Sequence, residues 1–198
     1  MVKPKSILAV DYRKRIIWLD GDITDQTARR FRTIIRKINT IKIDPIVMYI
    51  RGDGGDPWSA LSIMMDISNS PSQIGIVAHE RVASGSFLIT QAGFWRAALP
   101  GTKFLFHSAE GICSGHNDDR QFTRQKLVDW IEMLELIDYL QFQWFSRRGR
   151  PLEIIYDFLK TDKTLTLSEA KKFILVDYHY SRKDFLKDRL SIGKSTRR

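Results

Sequence analysis

Short apolar runs alternate along the chain with longer stretches in which apolar residues recur every three or four positions. Runs of three to five apolar residues, bounded by polar or turn residues, predict buried strands. They occur at 7–10, 16–19, 46–50, 74–78 and 104–106. The alternation of such strands with helical patterns predicts an α/β fold, in which the layers of a mainly parallel β-sheet are flanked by helices.

Two helices are marked by start signals as well as by their periodicity. Thr24 is a predicted N-cap, and the helix after it has one apolar face with its arginines on the opposite side. The residues of that apolar face are Ala28, Phe31, Ile34, Ile35 and Ile38. Asp56 as N-cap and Pro57 as first helical residue predict a second helix, which continues to Ser68.

The C-terminal half contains a long apolar stripe from residue 118 to residue 148. A helix of this length and hydrophobicity is predicted to pack both on the core and on a partner subunit. Around it we expect a loop at 111–117 and short helices at 152–159 and after Thr166, which forms a capping box with Glu169. Residues 1–180 are expected to form one domain, followed by a loosely held basic tail at 181–198.

The junction between the strand at 74–78 and the next helical pattern is rich in small residues. Ser84 lies there, where the first N–H groups of a helix are unpaired and its dipole is positive. One interpretation is that Ser84 caps the helix, which is the commoner role of such a serine. The other is that its hydroxyl attacks a carbonyl group, with the Gly85 N–H beside the developing oxyanion. This stretch alone leaves both open, and Ser86 is a second candidate hydroxyl.

Two other strands end in residues that suit a functional site. The strand at 46–50 leads into a turn, 51–57, whose three glycines permit positive φ or close approach of the backbone to a ligand. The turn lacks the Walker lysine and the G-x-G-x-x-G spacing, so it is either a tight turn or a source of backbone donors for a bound peptide. His107 closes the strand at 104–106, at the sheet edge where ligands collect in α/β folds.

The composition is that of a globular chain: 198 residues, 43% hydrophobic and 28% charged. No apolar run reaches membrane-spanning length, and no signal peptide is recognisable. The single cysteine, Cys113, excludes an intrachain disulfide and suits a reducing compartment, so a cytoplasmic location is expected. The net charge of +9 is spread over a helix, a turn and the tail without aromatic interleaving, which argues against a nucleic-acid partner.

Taken in order, the motifs at these strand ends resemble the proteolytic subunit of the Clp protease. That family has a strand ending in N-S-P-G-G, a serine in an A-S-x-G-type turn with A-G behind it, then L-P-N, and a histidine that closes the next strand. The matching segments here are 49–55, 83–85, 92–93, 98–100 and 106–107. A last motif begins at Asp162 and ends at Asp177, so the likeness extends over most of the chain from Ile16 onward.

The resemblance implies the Clp-protease/crotonase-like fold and a serine endopeptidase that cleaves unfolded polypeptides or peptides through an acyl-enzyme. Position by position it implies Ser84 as nucleophile, His107 as general base and Asp162 as the group that orients the histidine. Gly55 and Gly85 match the positions whose N–H groups form the oxyanion hole. No metal or organic cofactor is implied.

The family also implies an assembly. It forms homo-oligomeric rings, commonly heptamers that stack face to face into a tetradecamer, with a handle-type helix, here 118–148, near the contact between rings. Only fifteen residues precede Ile16, so the N-terminal loops that face an AAA+ Clp ATPase are expected to be missing, which argues against that partner. Two further departures lie near the site: Gly52-Asp53 stands in place of Ser-Pro, and Gly85 in place of methionine.

Three other functions stay open at this point. The first is a catalytically silent subunit of a mixed ring, although silent relatives typically lose one of the three residues that are all present here. The second is an acyl-CoA hydratase or isomerase on the crotonase fold, which gives no reason to keep a serine followed by a histidine. The third is a basic nucleic-acid-binding protein, whose affinity would depend on salt and would survive Ser84→Ala.

Overall fold

Eight strands form one sheet in the computed structural model, which describes residues 7–107, 124–146, 153 and 163–195. The strands are β1 (Ile7–Asp11), β2 (Ile16–Asp20), β3 (Ile46–Gly52), β4 (Ile74–Ala83), β5 (Arg96–Ala98), β6 (Lys103–Phe106), β7 (Lys163–Leu165) and β8 (Tyr178–His179). All pairings are parallel except β1 with β2 and β6 with β7. The mainly parallel sheet confirms the predicted fold class.

Strand β4 is the centre of this sheet. It pairs with β3 on one side, and on the other side with β5 through Ile76–Ala78 and then with β6 through Arg81–Ala83. Because these pairings are all parallel, the carboxyl ends of β3, β4 and β6 meet at one edge of the sheet, which is where α/β proteins collect functional residues.

The helices in the described residues are α1 (Asp25–Ile41), α2 (Pro57–Ser68), α3 (Ser84–Gln91), α4 (Arg124–Ser146), α5 (Leu167–Lys172) and α6 (Arg182–Ser195). The predicted start signals are confirmed. Thr24 accepts a hydrogen bond from the Thr27 N–H, Asp56 accepts one from the Ser59 N–H, and Thr166 and Glu169 form the capping box. The predicted apolar face of α1 is buried throughout.

The chain divides into two compact units, residues 1–106 with 163–198 and residues 107–162. In the second unit, α4 confirms the middle of the helix predicted at 118–148. On α4 the side chain of Ile137 is buried, whereas four large apolar side chains are more than one third exposed: Val128, Ile131, Leu136 and Tyr139. Other predictions concern residues outside the described ones: the loop at 111–117, Cys113, Asp162 and, apart from residue 153, the helix at 152–159.

Three strands, β5, β7 and β8, were not predicted from the sequence, and β5 is the least expected of them. Arg96–Ala98 forms β5 between β4 and β8, although it begins with an arginine. The Arg96 side chain is only 2% exposed, and its guanidinium donates to the carboxylate of Asp177 and to the side-chain oxygen of Gln91. The buried ion pair satisfies a charge that a sequence pattern assigns to the surface.

The prediction of a loosely held tail after Ser181 is wrong for residues 182–195, which form α6. Phe185 of α6 is buried and packs edge-on against Trp18 of β2 and Tyr49 of β3. The Tyr49 hydroxyl also donates to Asp188 of α6 over 2.6 Å. This aromatic face, defined by Trp18, Tyr49 and Phe185, joins the C-terminal segment to the middle of the sheet.

Candidate active site

Ser84 is the first residue of α3 and follows β4 directly. Its φ is +48°, in the left-handed region that non-glycine residues seldom adopt. Ala83 occupies the N-cap position and makes no side-chain cap hydrogen bond, so the interpretation of Ser84 as a helix cap is wrong. A strained, half-buried serine on a sharp strand-to-helix turn is the arrangement that presents a nucleophilic hydroxyl in other hydrolases.

The glycine turn after β3 packs directly against this serine. A Cβ atom placed on Gly54 would lie 2.7 Å from the Ser84 Cβ and 2.8 Å from the Gly85 nitrogen, so a side chain at this position would displace the turn. Gly54 and Gly55 also have φ values of +102° and +143°, which favour glycine. The glycines of this turn are therefore needed for its contact with Ser84.

Gly55 and Gly85, the predicted oxyanion-hole residues, lie next to each other. A Cβ atom on Gly85 would be 3.8 Å from the Gly55 nitrogen. Gly85 is in the first turn of α3, where N–H groups have no acceptor within the helix. Gly55 is held by a bridge to Ile23 whose hydrogen bonds use the N–H groups of Ile23 and Asp56, not that of Gly55. Both positions can therefore offer a backbone donor beside Ser84.

Ser86 does not compete with Ser84 for the nucleophile's role in this conformation. Its side chain is fully buried, and its hydroxyl has no hydrogen-bond partner among the described residues. A Cβ atom on Gly52 would lie 3.0 Å from the Ser86 oxygen, so this hydroxyl faces the backbone of β3 instead of solvent. Of the two candidate hydroxyls, only Ser84 is accessible.

The other two predicted triad residues belong to the second unit. His107 follows β6 directly, and Asp162, which precedes β7, lies outside the described residues. Strands β6 and β7 pair in antiparallel register, with Phe106 opposite Lys163. Phe106, which precedes His107, and Lys163, which follows Asp162, are thus opposite each other in the ladder. The contacts among the three triad residues remain a prediction.

Charged side chains surround the ends of β2 and β3 and the middle of β4, and the sequence analysis missed most of them. His79, fully buried in β4, lies 3.1 Å from the carboxylate of Asp20 at the end of β2. Arg51 of β3 reaches the same carboxylate at 3.4 Å and donates to Glu80 at 2.6 Å. The hydrogen bond between Arg51 and Glu80 lowers the pKa of Glu80 and raises that of Arg51.

Asp53, which departs from the family pattern, also has a partner. Its carboxylate lies 2.8 Å from the guanidinium of Arg81, the residue after Glu80. Two ion pairs therefore cross between the end of β3 and the middle of β4. No local signal marks these pairs, because their members are brought together only by the register of the two strands.

Within the described part of the chain, no cluster of three or more histidine, cysteine, aspartate or glutamate side chains is arranged to hold a metal ion. The same residues include no helix long and apolar enough to cross a membrane.

The sequence of the chain is similar to those of proteins from one known family. The Clp protease family profile matches residues 3–182. The chain is 31% identical to the chloroplastic ATP-dependent Clp protease proteolytic subunit 6 of Arabidopsis thaliana, over 88% of this chain and 63% of that protein. It is 28% identical to an ATP-dependent Clp protease proteolytic subunit of Ostreococcus tauri, over 84% of this chain and 82% of that protein.

The fold is also similar to that of a solved structure. A ClpP1 mutant from Listeria monocytogenes superimposes with a TM-score of 0.74 at 20% identity, covering 87% of this chain and 95% of that one. The chain spans less than two thirds of the length of the Arabidopsis subunit. Since the family profile covers nearly the whole sequence, the chain belongs to the Clp protease family.

Proposed function

We propose that this chain is a serine endopeptidase that cleaves unfolded polypeptides or peptides. The observation that carries the proposal is the left-handed backbone of Ser84, held against the Gly54–Gly55 turn. A strained backbone persists only where its surroundings enforce it, and such strain clusters at active sites. An accessible hydroxyl beside two glycines that can donate backbone N–H groups suits attack on a carbonyl carbon.

The proposed reaction begins with attack of the Ser84 oxygen on the scissile carbonyl carbon, while His107 takes the hydroxyl proton. The carbonyl oxygen becomes an oxyanion that accepts hydrogen bonds from the N–H groups of Gly55 and Gly85. His107 then gives its proton to the leaving amine, and the acyl-enzyme forms. Water, activated by the same histidine, releases the acyl group and restores Ser84. Asp162 would hold the imidazole in the required tautomer.

The pairing of β6 with β7 supports these roles for His107 and Asp162. Phe106 and Lys163 lie opposite each other in the ladder, and the two proposed triad residues are their immediate neighbours in the sequence. A base and its orienting carboxylate need hydrogen-bond distance, so the meeting of these two strands favours the assignment.

We further propose that the active form is a homo-oligomeric ring of the kind the family forms. The exposed apolar side chains of α4 support an interface, because an isolated chain gains nothing by leaving them in water. The absence of a Clp-type ATPase partner and the cytoplasmic location are both predictions from the sequence.

The direct test is fluorophosphonate labelling of the purified oligomer, with the labelled residue mapped by mass spectrometry. We expect a label on Ser84 in the wild-type protein and none in Ser84→Ala, together with loss of hydrolysis of a fluorogenic peptide. Ser86→Ala is the matched control, since it removes the buried neighbouring hydroxyl and should still be labelled. An assembled oligomer without label at Ser84 would overturn the proposal and favour the silent subunit.

A further inference from the structure

The segment immediately before the proposed nucleophile contains a bend that changes the partner of β4. Its register with β3 shifts between Ala78, opposite Ile50, and Val82, opposite Gly52. Three residues of β4, 79–81, therefore lie opposite Arg51 alone. Up to Ala78 β4 pairs with β5, and from Arg81 onward it pairs with β6. A bulge of this kind redirects the strand that follows it, so the bend sets the direction in which β4 reaches Ser84.

The backbone of the bend is strained. Glu80 has a φ of +56°, the same left-handed region as Ser84, and its side chain is 54% exposed, so burial does not hold it there. A non-glycine residue in this region costs free energy unless its surroundings compensate. The compensation available here is the ion pair in which Arg51 donates to the Glu80 carboxylate.

One buried carboxylate connects this ion pair to the neighbouring strand. The Asp20 side chain is 9% exposed; one of its oxygens lies 3.1 Å from His79 Nε2 and the other 3.4 Å from Arg51 Nη2. Asp20 is the hydrogen-bond partner of His79 among the described residues, and Glu80 lies 3.8 Å from the other ring nitrogen. Asp20 therefore contacts His79, which lies in the bend, and also Arg51, which donates a hydrogen bond to Glu80.

Gly21 and Gly52, which follow Asp20 and Arg51, connect the ends of β2 and β3 to the first turn of α3. The Gly21 N–H donates to the Arg51 carbonyl over 2.8 Å. A Cβ atom on Gly52 would lie 2.3 Å from the Gly21 carbonyl oxygen and 3.0 Å from the Ser86 hydroxyl. With backbones in such close contact, a shift of β2 or β3 at this end moves the first turn of α3.

We propose that Asp20 is a positioning residue for Ser84. Asp20 fixes the bend of β4 through His79 and Arg51 and does not contact the substrate. This inference rests on the proposed peptidase function. A buried carboxylate with a buried histidine adds little stability compared with well-packed apolar side chains. Its contribution is geometric, because displacement of a reacting group by about 1 Å can cost about a hundredfold in rate.

Asp20→Asn tests this role, because it keeps the size of the side chain and removes its charge. We expect the rate of fluorophosphonate labelling at Ser84 and kcat for a fluorogenic peptide to fall about tenfold or more, with KM within about twofold. Asp20→Glu, which restores the carboxylate, should recover part of the rate. The control is Asp66→Asn, which removes the charge of another partly buried aspartate, located on α2 and paired with Arg32 of α1, and should leave labelling unchanged.

The outcomes separate the two proposals. If wild-type protein is not labelled, the peptidase function is overturned and the positioning role with it. If wild-type protein is labelled and folded Asp20→Asn reacts at the same rate, or loses rate only in proportion to its unfolded fraction, the positioning role alone is overturned.

A second pair of variants covers the case in which Asp20→Asn does not fold. Glu80→Gly and Glu80→Ala both remove the ion pair with Arg51, but only glycine adopts the backbone of the bend without strain. We expect the glycine variant to be labelled faster than the alanine variant. Equal rates in two folded variants would show that the bend does not control Ser84 and would overturn the inference.

Discussion

Strands β2, β3 and β4 carry two regions that are built by opposite means. In mid-strand, the aromatic face under α6 is made of large side chains: Trp18 and Tyr49 stack with ring centroids 4.2 Å apart, and Phe185 covers them. At the carboxyl ends, the site is made of glycines and backbone strain around Ser84. The first region lowers the free energy of the fold through burial, whereas the second stores strain that the rest of the fold must support.

This difference predicts which changes affect activity and which affect stability. A substitution in the aromatic face should lower the free energy of unfolding and leave the folded molecules reactive. A substitution in the glycine turn should lower reactivity beyond any loss of folded protein. The three variants that follow test this separation.

Gly55→Ala should have the largest effect. The new Cβ atom would lie 2.2 Å from the Ile23 carbonyl oxygen, at a φ of +143°. The turn must move, and loss of one oxyanion donor costs about a hundredfold to a thousandfold in kcat. Peptide hydrolysis measured against folded fraction checks this. The control is Gly101→Ala, which has a similar backbone strain at φ +84° but no atom within 4 Å of the new Cβ. Equal losses in the two variants would contradict the assignment of Gly55.

Phe185→Ala should have the largest effect on stability. The side chain is 6% exposed, and its removal leaves a cavity beside Trp18 and Tyr49, which costs about 3–5 kcal/mol in the free energy of unfolding. Urea unfolding measures this change. Leu186→Ala, at a neighbouring side chain that is 50% exposed, should change it by less than about 0.5 kcal/mol. Slow labelling of folded Phe185→Ala would mean that the two regions are coupled.

Tyr49→Phe should have a smaller effect that depends on pH. Burial first, and then the hydrogen bond to Asp188, raise the pKa of the Tyr49 hydroxyl far above its usual range. Above about pH 10 the unfolded chain loses this proton, whereas the folded protein keeps it. The contribution of Tyr49 to the free energy of unfolding is therefore fully present below about pH 10 and decreases as the pH rises further. At neutral pH the variant should lose about 1–2 kcal/mol with the hydrogen bond.

Urea unfolding at about pH 8 and about pH 11 distinguishes the two contributions of Tyr49. The alkaline loss of stability should be less steep in Tyr49→Phe than in the wild-type protein, although Tyr180, whose pKa burial also raises, retains part of it. Tyr178→Phe, at an exposed tyrosine of β8, should behave as wild type. The same slope in all three proteins would argue against a buried, protonated Tyr49.

Much of the fold follows from local patterns. The helix α1, its buried face and its Thr24 cap are readable because a period of 3.6 residues and a capping side chain lie within a few positions of each other. The same holds for Asp56 and Pro57 at the start of α2. Of the site, the serine at a small-residue junction and the glycine turn were readable, since both follow apolar strands.

Other features depend on contacts between distant segments. Arg96 starts a strand because Asp177, far along the chain, neutralises it. In the sequence, the segment of α6 resembles a solvated tail because Phe185 is its only aromatic residue. The surface on which Phe185 packs is formed by Trp18 of β2 and Tyr49 of β3, which are distant in the sequence. No pattern in 74–83 predicts the bend at Glu80, which arises from the register of β4 against its neighbours.

The sequence by itself therefore determined five of the strands, the starts of α1 and α2, the face that α1 buries and, with the family resemblance, the candidate nucleophile. Only the tertiary structure decided that Ser84 is not a cap, that Ser86 is buried, and that Asp20, Arg51 and His79 meet behind the site. The physical reason is range. Periodicity and capping act within one or two helical turns, whereas backbone strain and buried charge are tolerated only when several strands supply their partners.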